Sequence, residues 1–278
     1  MAARPPVVVS FAASDPTAGA GLQADLLAIA ALGGHPATVV TALTVQDTRG
    51  VHALRAVEPD WVEVQAARLL ADLPVRAFKL GVLGSAANAT AVARIVAAYP
   101  QVPLVVDPVL ASGRGDALAD EATVAVLREA LLARATVATP NSLEARRLAG
   151  CGPQTPLAEC AARLVEAGCR YVLVTGTHEP GAKVVNTLYG PGGAIRADAW
   201  PRLPGEYHGS GCTLAAALAA LLARGVALPE AAREAQAYTW RALAAGYPVG
   251  AGQRLPERLF SLRAHEPEHA ARAVRDHA

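Results

Sequence analysis

The residues best suited to chemistry form one short segment, His208-Gly-Ser-Gly-Cys-Thr213, which runs directly into an apolar stretch ending at Leu222. Gly209 and Gly211 allow the backbone to bend tightly and to approach a ligand closely. The helix predicted to follow directs its free N–H groups and the positive end of its dipole at this segment, which favours an anion. The same environment is expected to shift the thiol of Cys212 toward the thiolate. The segment therefore predicts a phosphate site beside a reactive cysteine.

Polar residues also follow the predicted strands. Because ligands of α/β sheets bind beyond the carboxyl ends of the strands, these residues are candidates for one shared site. They occupy the segments 14–25, 46–50, 81–85, 107–109, 139–144 and 175–178. Within the first of them, Gly19-x-Gly21-x-x-Ala24 satisfies a relaxed dinucleotide-binding fingerprint. That interpretation is disfavoured because residues 14–18 separate the strand from the first glycine, and Asp25 would add negative charge beside a pyrophosphate.

The elements that must position these residues alternate along the chain. Apolar, β-branched runs predict strands, and amphipathic runs between them predict helices, which indicates an α/β fold with a mainly parallel sheet covered on both faces. The strands are predicted at 6–12, 38–45, 77–81, 102–107, 135–139 and 170–175. Two further strands flank the glycine turn 190–193 and predict an antiparallel hairpin at one sheet edge. We expect one domain over residues 1–262 and a charged tail over 263–278, which is more typical of a solvated terminus than of a metal site despite its three histidines.

The composition excludes several classes of function. The chain has 25 basic and 24 acidic residues in 278, which gives no electrostatic basis for binding nucleic acid or an anionic membrane. Its four cysteines show no C-x-x-C spacing, so a zinc site or a disulfide framework is not expected. No apolar stretch approaches the roughly 20 residues of a membrane span, and prolines interrupt any signal-peptide pattern. We expect a cytoplasmic protein.

Six motifs occurring together in one order are more specific than any of them alone. From about Val7 to Pro256 the chain closely resembles the hydroxymethylpyrimidine/phosphomethylpyrimidine kinases of thiamin synthesis, members of the ribokinase-like superfamily. The resemblance implies a three-layer αβα sandwich, ATP and Mg²⁺ as cofactors, and a homodimer. It also implies two successive phosphorylations of 4-amino-5-hydroxymethyl-2-methylpyrimidine, first on the alcohol and then on the monophosphate. The motifs are Asp15-Pro-Thr-Ala-Gly-Ala-Gly-Leu-Gln-Ala-Asp25, Thr41-Ala-Leu-Thr-Val-Gln-Asp-Thr-Arg-Gly-Val51, Lys79-Leu-Gly81, Val106-Asp-Pro-Val109, Thr139-Pro-Asn-Ser-Leu-Glu144 and His208-Gly-Ser-Gly-Cys-Thr213.

The resemblance assigns roles to individual residues. The amide of Gln46 can both donate and accept, as reading the edge of an aminopyrimidine requires. With Gln46, the acceptor site would comprise Ala13, Asp15, Ala18, Asp25, Val82 and Val109. The ATP and phosphate contacts would come from Asn141, Thr175, Thr177 and Thr213, and the metal would be organised by Asp107 and Glu144. The backbone of Gly209, Ser210, Gly211 and Cys212 would form the anion hole for the transferring phosphoryl group.

Three questions stay open from the sequence. Cys212 occupies the position at which most ribokinase-like enzymes have an aspartate base, so it is either a general base or a ligand of the transferred phosphate. Thr175 stands where the family often has a phosphate-contacting lysine, and threonine supplies no charge. The alternative functions are a pyridoxal kinase of the same superfamily and a non-catalytic ligand-binding relative, while a dinucleotide-dependent oxidoreductase is a distant third.

Overall fold

In the computed structural model, residues 4–112, 115, 116 and 118–263 are described, and their strands and helices alternate as the apolar pattern predicts. The strands are β1 Val7–Ser14, β2 His35–Asp47, β3 Gly50–Ala56, β4 Val75–Leu80, β5 Leu104–Val106, β6 Val137–Ala138, β7 Val172–Val174, β8 Lys183–Gly190 and β9 Gly193–Pro201. The helices are α1 Gly21–Ala31, α2 Pro59–Asp72, α3 Ala86–Ala97, α4 Glu121–Val126, α5 Ser142–Leu148, α6 Leu157–Glu166, α7 Ser210–Ala223, α8 Leu228–Ala244 and α9 Phe260–Arg263.

All the strands of the described residues belong to one sheet, in the order β3-β2-β1-β4-β5-β6-β7-β8-β9. The six central strands, β2, β1, β4, β5, β6 and β7 in sheet order, run parallel to one another. Strands β3, β8 and β9 are antiparallel to their neighbours. The carboxyl ends of the central strands therefore meet along one edge, which is where the sequence places its polar segments.

Alternate residues of the central strands enter two separate cores, as the pleat of a strand requires. On one face, Phe11 and Phe78 pack with apolar residues of α2 to α6. On the other face, Val8 and Ala77 pack with α1, α7 and α8. The alanine-rich α7 lies directly against the sheet. Residues 215–220, five alanines and Leu218, are all fully buried, and the small alanine side chains allow this close approach. The structure confirms the three-layer αβα sandwich.

The structure corrects the predicted elements at two places. The hairpin of β8 and β9 is confirmed, but the opposite edge is antiparallel too, because β3 pairs with β2. β3 carries no continuous apolar run that would predict a strand, because its residues are exposed or half-buried. The helix predicted over 120–132 is α4 followed by a π-helical turn over Leu127–Leu131 and a 3-10 turn. Residues 264–278 of the predicted tail lie outside the described residues.

Within the described part of the chain, no helix combines the length and the apolar character that crossing a bilayer requires.

Candidate active site

A pocket of about 550 Å³ opens at the carboxyl edge of the sheet. It brings together most of the residues that the sequence predicts for one site. Those lining it are Ala13, Asp15, Gln46, Val82, Asp107, Val109, Asn141, Glu144, Thr175, Thr177, Gly209, Ser210, Gly211 and Cys212. Three predicted site residues, Ala18, Asp25 and Thr213, are absent from this wall, and each has a structural contact described below.

The anion loop, residues 208–213, has the geometry that its glycines predict. Gly209 is the residue before α7 and has a left-handed backbone, with φ of 79°. A Cβ at Gly209 would lie 1.9 Å from the carbonyl oxygen of Gly19, so a larger residue here would separate two loops that are in contact. A Cβ at Gly211 would lie 3.7 Å from Asp107 Oδ1, which places the first turn of α7 beside that carboxylate. The loop therefore presents backbone N–H groups to the pocket next to an acidic residue.

Thr213 supports this loop from behind. Its hydroxyl donates to the carbonyl of Gly209 at 2.8 Å, and the residue is fully buried. The hydroxyl therefore faces the protein rather than the pocket, and the predicted contact between Thr213 and phosphate stays a prediction.

Cys212 differs from the sequence expectation in its protonation. Burial raises the pKa of its thiol to about 12, although the nearby Lys79 ammonium acts in the opposite direction. The helix terminus does not make it a thiolate in the ligand-free protein, because loss of hydration outweighs the favourable charges. The thiol is also a hydrogen-bond partner of Asp107. In this state the Cys212 thiol can donate a hydrogen bond, but its protonated sulfur is a poor proton acceptor.

Two acidic residues face the same part of the pocket. Burial raises the pKa of Asp107 to about 6, and burial together with the charge of Asp107 raises the pKa of Glu144 to about 8. Asp107 Oδ2 is buried and has no hydrogen-bond partner among the described residues. A pair of carboxylates destabilised by burial and by each other, with an oxygen left unpaired, fits a hard divalent cation whose other ligands are water and phosphate. The described residues hold no cluster of three metal-ligating side chains, so the protein alone would supply only part of the coordination.

Glu144 and Asn141 also start α5, a function that the sequence interpretation missed. The Asn141 side chain accepts hydrogen bonds from the N–H groups of Leu143 and Glu144, both at 2.9 Å. Glu144 Oε2 in turn accepts from the N–H of Asn141 at 2.9 Å. This is a capping box, recognisable in the sequence as Asn-x-x-Glu. The two residues therefore fix the helix start whether or not a ligand is present.

Beneath the pocket lies a buried ion pair. Lys79 and Asp25 are both fully buried, with 3.0 Å between the ammonium and the carboxylate, and Ser10 donates to the same carboxylate. Lys79 lines the pocket and Asp25 does not, so the structure makes Asp25 the partner of a lysine and leaves its predicted contact with the acceptor untested. The signal for Lys79 was present in the sequence, since it is a charged residue within an apolar strand.

The loop after β1 is organised by Asp15. Its carboxylate accepts from the Thr17 N–H at 2.8 Å, from the Ala20 N–H at 2.7 Å and from His208 Nε2, which lies 2.9 Å away. Burial would raise the pKa of Asp15, but the hydrogen bonds from His208, Thr17 and Ala20 hold it well below its usual range. Asp15 thus ties the loop after β1 to the anion loop.

The two ends of the pocket have different chemistry. On the side of the sheet formed by β2, β1, β4 and β5, Gln46 and Val109 line the pocket. The Gln46 amide makes no hydrogen bond with the described residues, so it is available to a ligand. At the other end, past Thr175 and Thr177, the wall is formed by Trp200, Trp240 and Leu243. The two indole rings stack with 6.3 Å between centroids. Aromatic walls of this kind suit a flat heterocycle, and the sequence interpretation had not identified them.

Comparisons with known proteins agree with this arrangement. A family model described as phosphomethylpyrimidine kinase matches residues 15–256. The hydroxymethylpyrimidine/phosphomethylpyrimidine kinase of Streptomyces coelicolor is 40% identical over 251 residues, which cover 89% of this chain and 92% of that protein.

Two solved structures extend the comparison to the fold. The phosphomethylpyrimidine kinase of Clostridium difficile 630 is 29% identical, with a TM-score of 0.75, and the match covers 86% of this chain and 99% of that one. The pyridoxal kinase of Staphylococcus aureus in complex with AMP-PCP and pyridoxal is 26% identical, with a TM-score of 0.84, and the match covers 94% of this chain and 96% of that one.

Proposed function

The chain belongs to the phosphomethylpyrimidine kinase family, and on this premise we propose that it is an ATP-dependent kinase of thiamin biosynthesis. It phosphorylates 4-amino-5-hydroxymethyl-2-methylpyrimidine on its alcohol and then phosphorylates the monophosphate to the pyrophosphate. The observation that carries the proposal is that one pocket is lined by the anion loop, by Gln46 on β2 and by the tryptophans of β9 and α8 toward the opposite edge of the sheet. A kinase needs this order of acceptor, transferred phosphoryl group and nucleotide.

The reaction requires little covalent work from the protein. The acceptor oxygen forms a bond to the γ-phosphorus of ATP while the bond from that phosphorus to the β,γ-bridging oxygen breaks, and ADP leaves. The proton of the alcohol acceptor passes to an oxygen of the transferred phosphoryl group or to water. Rate enhancement then depends on alignment and on stabilising the charge of the transferring group. We assign the second task to the N–H groups of residues 209–212, helped by the ammonium of Lys79, and the first task to Gln46 with Val82 and Val109.

The chemistry of Asp107 and Glu144 fits Mg²⁺, which would supply positive charge to the nucleotide phosphates when bound. Asp107 would contact the cation directly or through water, and Glu144 would do so from the start of α5. Asn141, Thr175 and Thr177 are proposed to contact the phosphates. Because Thr175 carries no charge, more of the phosphate charge must be balanced by the cation and by the helix N-terminus.

A pyridoxal kinase is the second candidate. The observation that favours it is the match to the Staphylococcus aureus pyridoxal kinase over 94% of this chain. The features that favour the pyrimidine are Gln46, whose amide complements an aminopyrimidine edge, and the higher identity to the Streptomyces coelicolor relative.

Turnover by the purified protein tests the proposal. The protein would receive Mg-ATP with hydroxymethylpyrimidine, its monophosphate or pyridoxal, and ADP release would be followed. We expect turnover with both pyrimidines and a lower kcat/KM for pyridoxal. No turnover with either pyrimidine would refute the proposal, and turnover with pyridoxal alone would establish the second candidate.

Three further statements rest on the family resemblance and the sequence. The protein is proposed to be a homodimer, to work in the cytoplasm and to form one domain over residues 1–262. Sedimentation equilibrium of the purified chain checks the first of these, with an expected mass of twice the 28.5 kDa of the chain. A mass of one chain at micromolar concentration would contradict it.

A further inference from the structure

Arg258 lies behind the anion loop and was not identified from the sequence. It follows α8 in the chain, and the residue is only 2% exposed. Its guanidinium donates to three acceptors on two different loops. Nε donates to Thr213 Oγ1 at 3.0 Å, Nη1 donates to the carbonyl of Ala18 at 3.2 Å, and Nη2 donates to the carbonyl of Gly19. Nη2 also lies 3.5 Å from the carbonyl of Gly209.

The planar, forked guanidinium matches the arrangement of these four acceptor oxygens. Three backbone carbonyls and a hydroxyl converge on one buried point, and carbonyl oxygens left without donors there would repel one another. The guanidinium has five donors in a planar fork and no acceptor, so it can satisfy all of them at once. Lysine carries the same charge without the fork.

The backbone of both loops depends on this contact. Ala18 has a φ of 60°, a left-handed conformation that is unfavourable for a residue with a Cβ. Gly209 is left-handed as well, and its position directly against Gly19 leaves no room for a Cβ. Arg258 donates to the carbonyl of the first and lies beside the carbonyl of the second, so it holds these two left-handed turns against each other.

Arg258 is itself held rigidly. Its carbonyl accepts from the hydroxyl of the buried Tyr238 at 2.8 Å, and the neighbouring Glu257 N–H donates to the carbonyl of Ala242 at 2.9 Å. Both partners belong to α8. Because the Arg258 backbone is anchored to α8, the guanidinium holds both loops in a fixed position relative to this long helix of the core.

We propose that Arg258 is a positioning residue that fixes the anion loop relative to the acceptor loop, residues 15–20. The inference rests on the proposed function, in which the first loop stabilises the transferring phosphoryl group and the second borders the acceptor. A misplacement of about 1 Å between reacting groups can lower a rate by roughly 10²-fold. Loss of the fork therefore lowers kcat while the KM for ATP stays nearly constant, because the tryptophan end of the pocket is untouched.

Arg258→Lys tests the proposal, with Arg224→Lys as the matched control. Arg224 follows α7 at its opposite end, is exposed, and donates to one carbonyl, that of Leu32. We expect kcat for hydroxymethylpyrimidine to fall at least 30-fold in Arg258→Lys, with a change in the KM for ATP below threefold. The control should retain the wild-type kcat. Equal kcat values in all three proteins would overturn the inference while leaving the proposed function intact.

Hydrogen exchange supplies a readout that does not depend on activity. The backbone amides of residues 15–20 and 209–213 should exchange faster together in Arg258→Lys, and neither group should change in the control. If wild-type protein shows no turnover, the proposed function fails, and the exchange of the two loops still decides whether Arg258 couples them. Exchange that rises throughout the molecule, or in neither loop, would contradict the coupling.

A milder pair of variants applies if Arg258→Lys does not fold. Thr213→Val removes the hydroxyl that accepts from Arg258 Nε and donates to Gly209, whereas Thr213→Ser keeps it. We expect the valine variant to lose about tenfold in kcat and the serine variant to lose less than threefold. Similar losses in both would show that the hydroxyl does not position the loop, against the proposal.

Discussion

Cys212 shows how the chemistry of a residue depends on its surroundings. Loss of hydration keeps the pKa of the Cys212 thiol well above its usual range, so the thiol is protonated at pH 7. A base in that state is inefficient. The single S–H, which bonds to Asp107 in the ligand-free protein, can turn to a phosphoryl oxygen when phosphate is bound. We therefore assign Cys212 to binding of the transferred group in preference to proton removal.

Cys212→Ser separates the two roles, because serine donates a hydrogen bond but is a weaker acid than cysteine. We expect kcat of this variant within tenfold of wild type, and a ratio of the two kcat values that stays constant from pH 7.5 to 9.5. The test is steady-state turnover across this range, with Cys212→Ala showing what removal of any donor costs. A loss of 10²-fold or more in both variants, with a ratio that grows as the thiolate fraction rises with pH, would identify Cys212 as the base.

The buried Lys79–Asp25 pair is a second feature at the scale of single residues. Removing both of its charges should affect stability and activity differently. Lys79→Met leaves Asp25 buried without a cation, which should lower the free energy of unfolding by about 3–5 kcal/mol. The double variant Lys79→Met/Asp25→Leu removes both charges and should recover most of that loss. Urea unfolding of both variants measures this.

Activity should not recover in the double variant, because the ammonium beside the anion loop is missing from both proteins. Turnover assays on the folded double variant check this point. A double variant with near-wild-type kcat would show that Lys79 matters only as the partner of Asp25.

Among the secondary-structure elements, α5 shows how one pair of residues serves two purposes. Asn141 and Glu144 close a capping box and also line the pocket. The cap holds the Glu144 carboxylate at the pocket wall before any ligand binds, so no side-chain ordering is needed when the nucleotide arrives. The cost is a carboxylate buried beside Asp107, which a bound cation would relieve.

Glu144→Gln separates the cap from the charge. Glutamine can complete a capping box, so the melting temperature should stay within a few degrees of wild type. Glutamine cannot ionise when the cation binds, so kcat should fall on the order of 10²-fold and the Mg²⁺ concentration for half-maximal activity should rise. Thermal melting and Mg²⁺ titrations of turnover measure both effects. A variant with normal Mg²⁺ dependence would assign Glu144 to capping alone.

In the molecule as a whole, the sheet order brings distant parts of the chain to one pocket. Asp15 and His208 are 193 positions apart in sequence, yet their side chains are hydrogen-bonded to each other. The end of the pocket that we propose for the acceptor is built from β1, β2 and the loop after β5, and the end proposed for the nucleotide from β9 and α8. This division predicts that the acceptor and the nucleotide contact different residues.

Tryptophan fluorescence tests the nucleotide end. Trp61 is 64% exposed on α2 and does not line the pocket, so Trp61→Phe leaves only Trp200 and Trp240 as reporters. Titration of this variant with ADP should change its emission, while hydroxymethylpyrimidine alone should change it much less. A response to the pyrimidine and none to ADP would reverse the two ends of the pocket.

Much of the fold and of the site could be predicted because the signals are local. A strand buried on both faces must be apolar along its length, and a loop that approaches a phosphate must be rich in glycine, so 6–12 and 208–213 are recognisable in isolation. The order of the polar segments then places most of the pocket residues together. β3 could not be predicted in this way, because its exposed and half-buried residues form no continuous apolar run.

The remaining features depend on neighbours that are distant in the sequence. Cys212, Asp107 and Glu144 lose hydration because residues from distant parts of the chain surround them. Their pKa values therefore depend on the assembled pocket and not on residue type alone. Likewise, Asp25 pairs with Lys79 and the two loops meet at Arg258 only because the sheet and α8 bring them together. The sequence thus determines which elements form and which reactive groups they carry, while long-range packing determines the protonation of those groups and the partners that hold them in place.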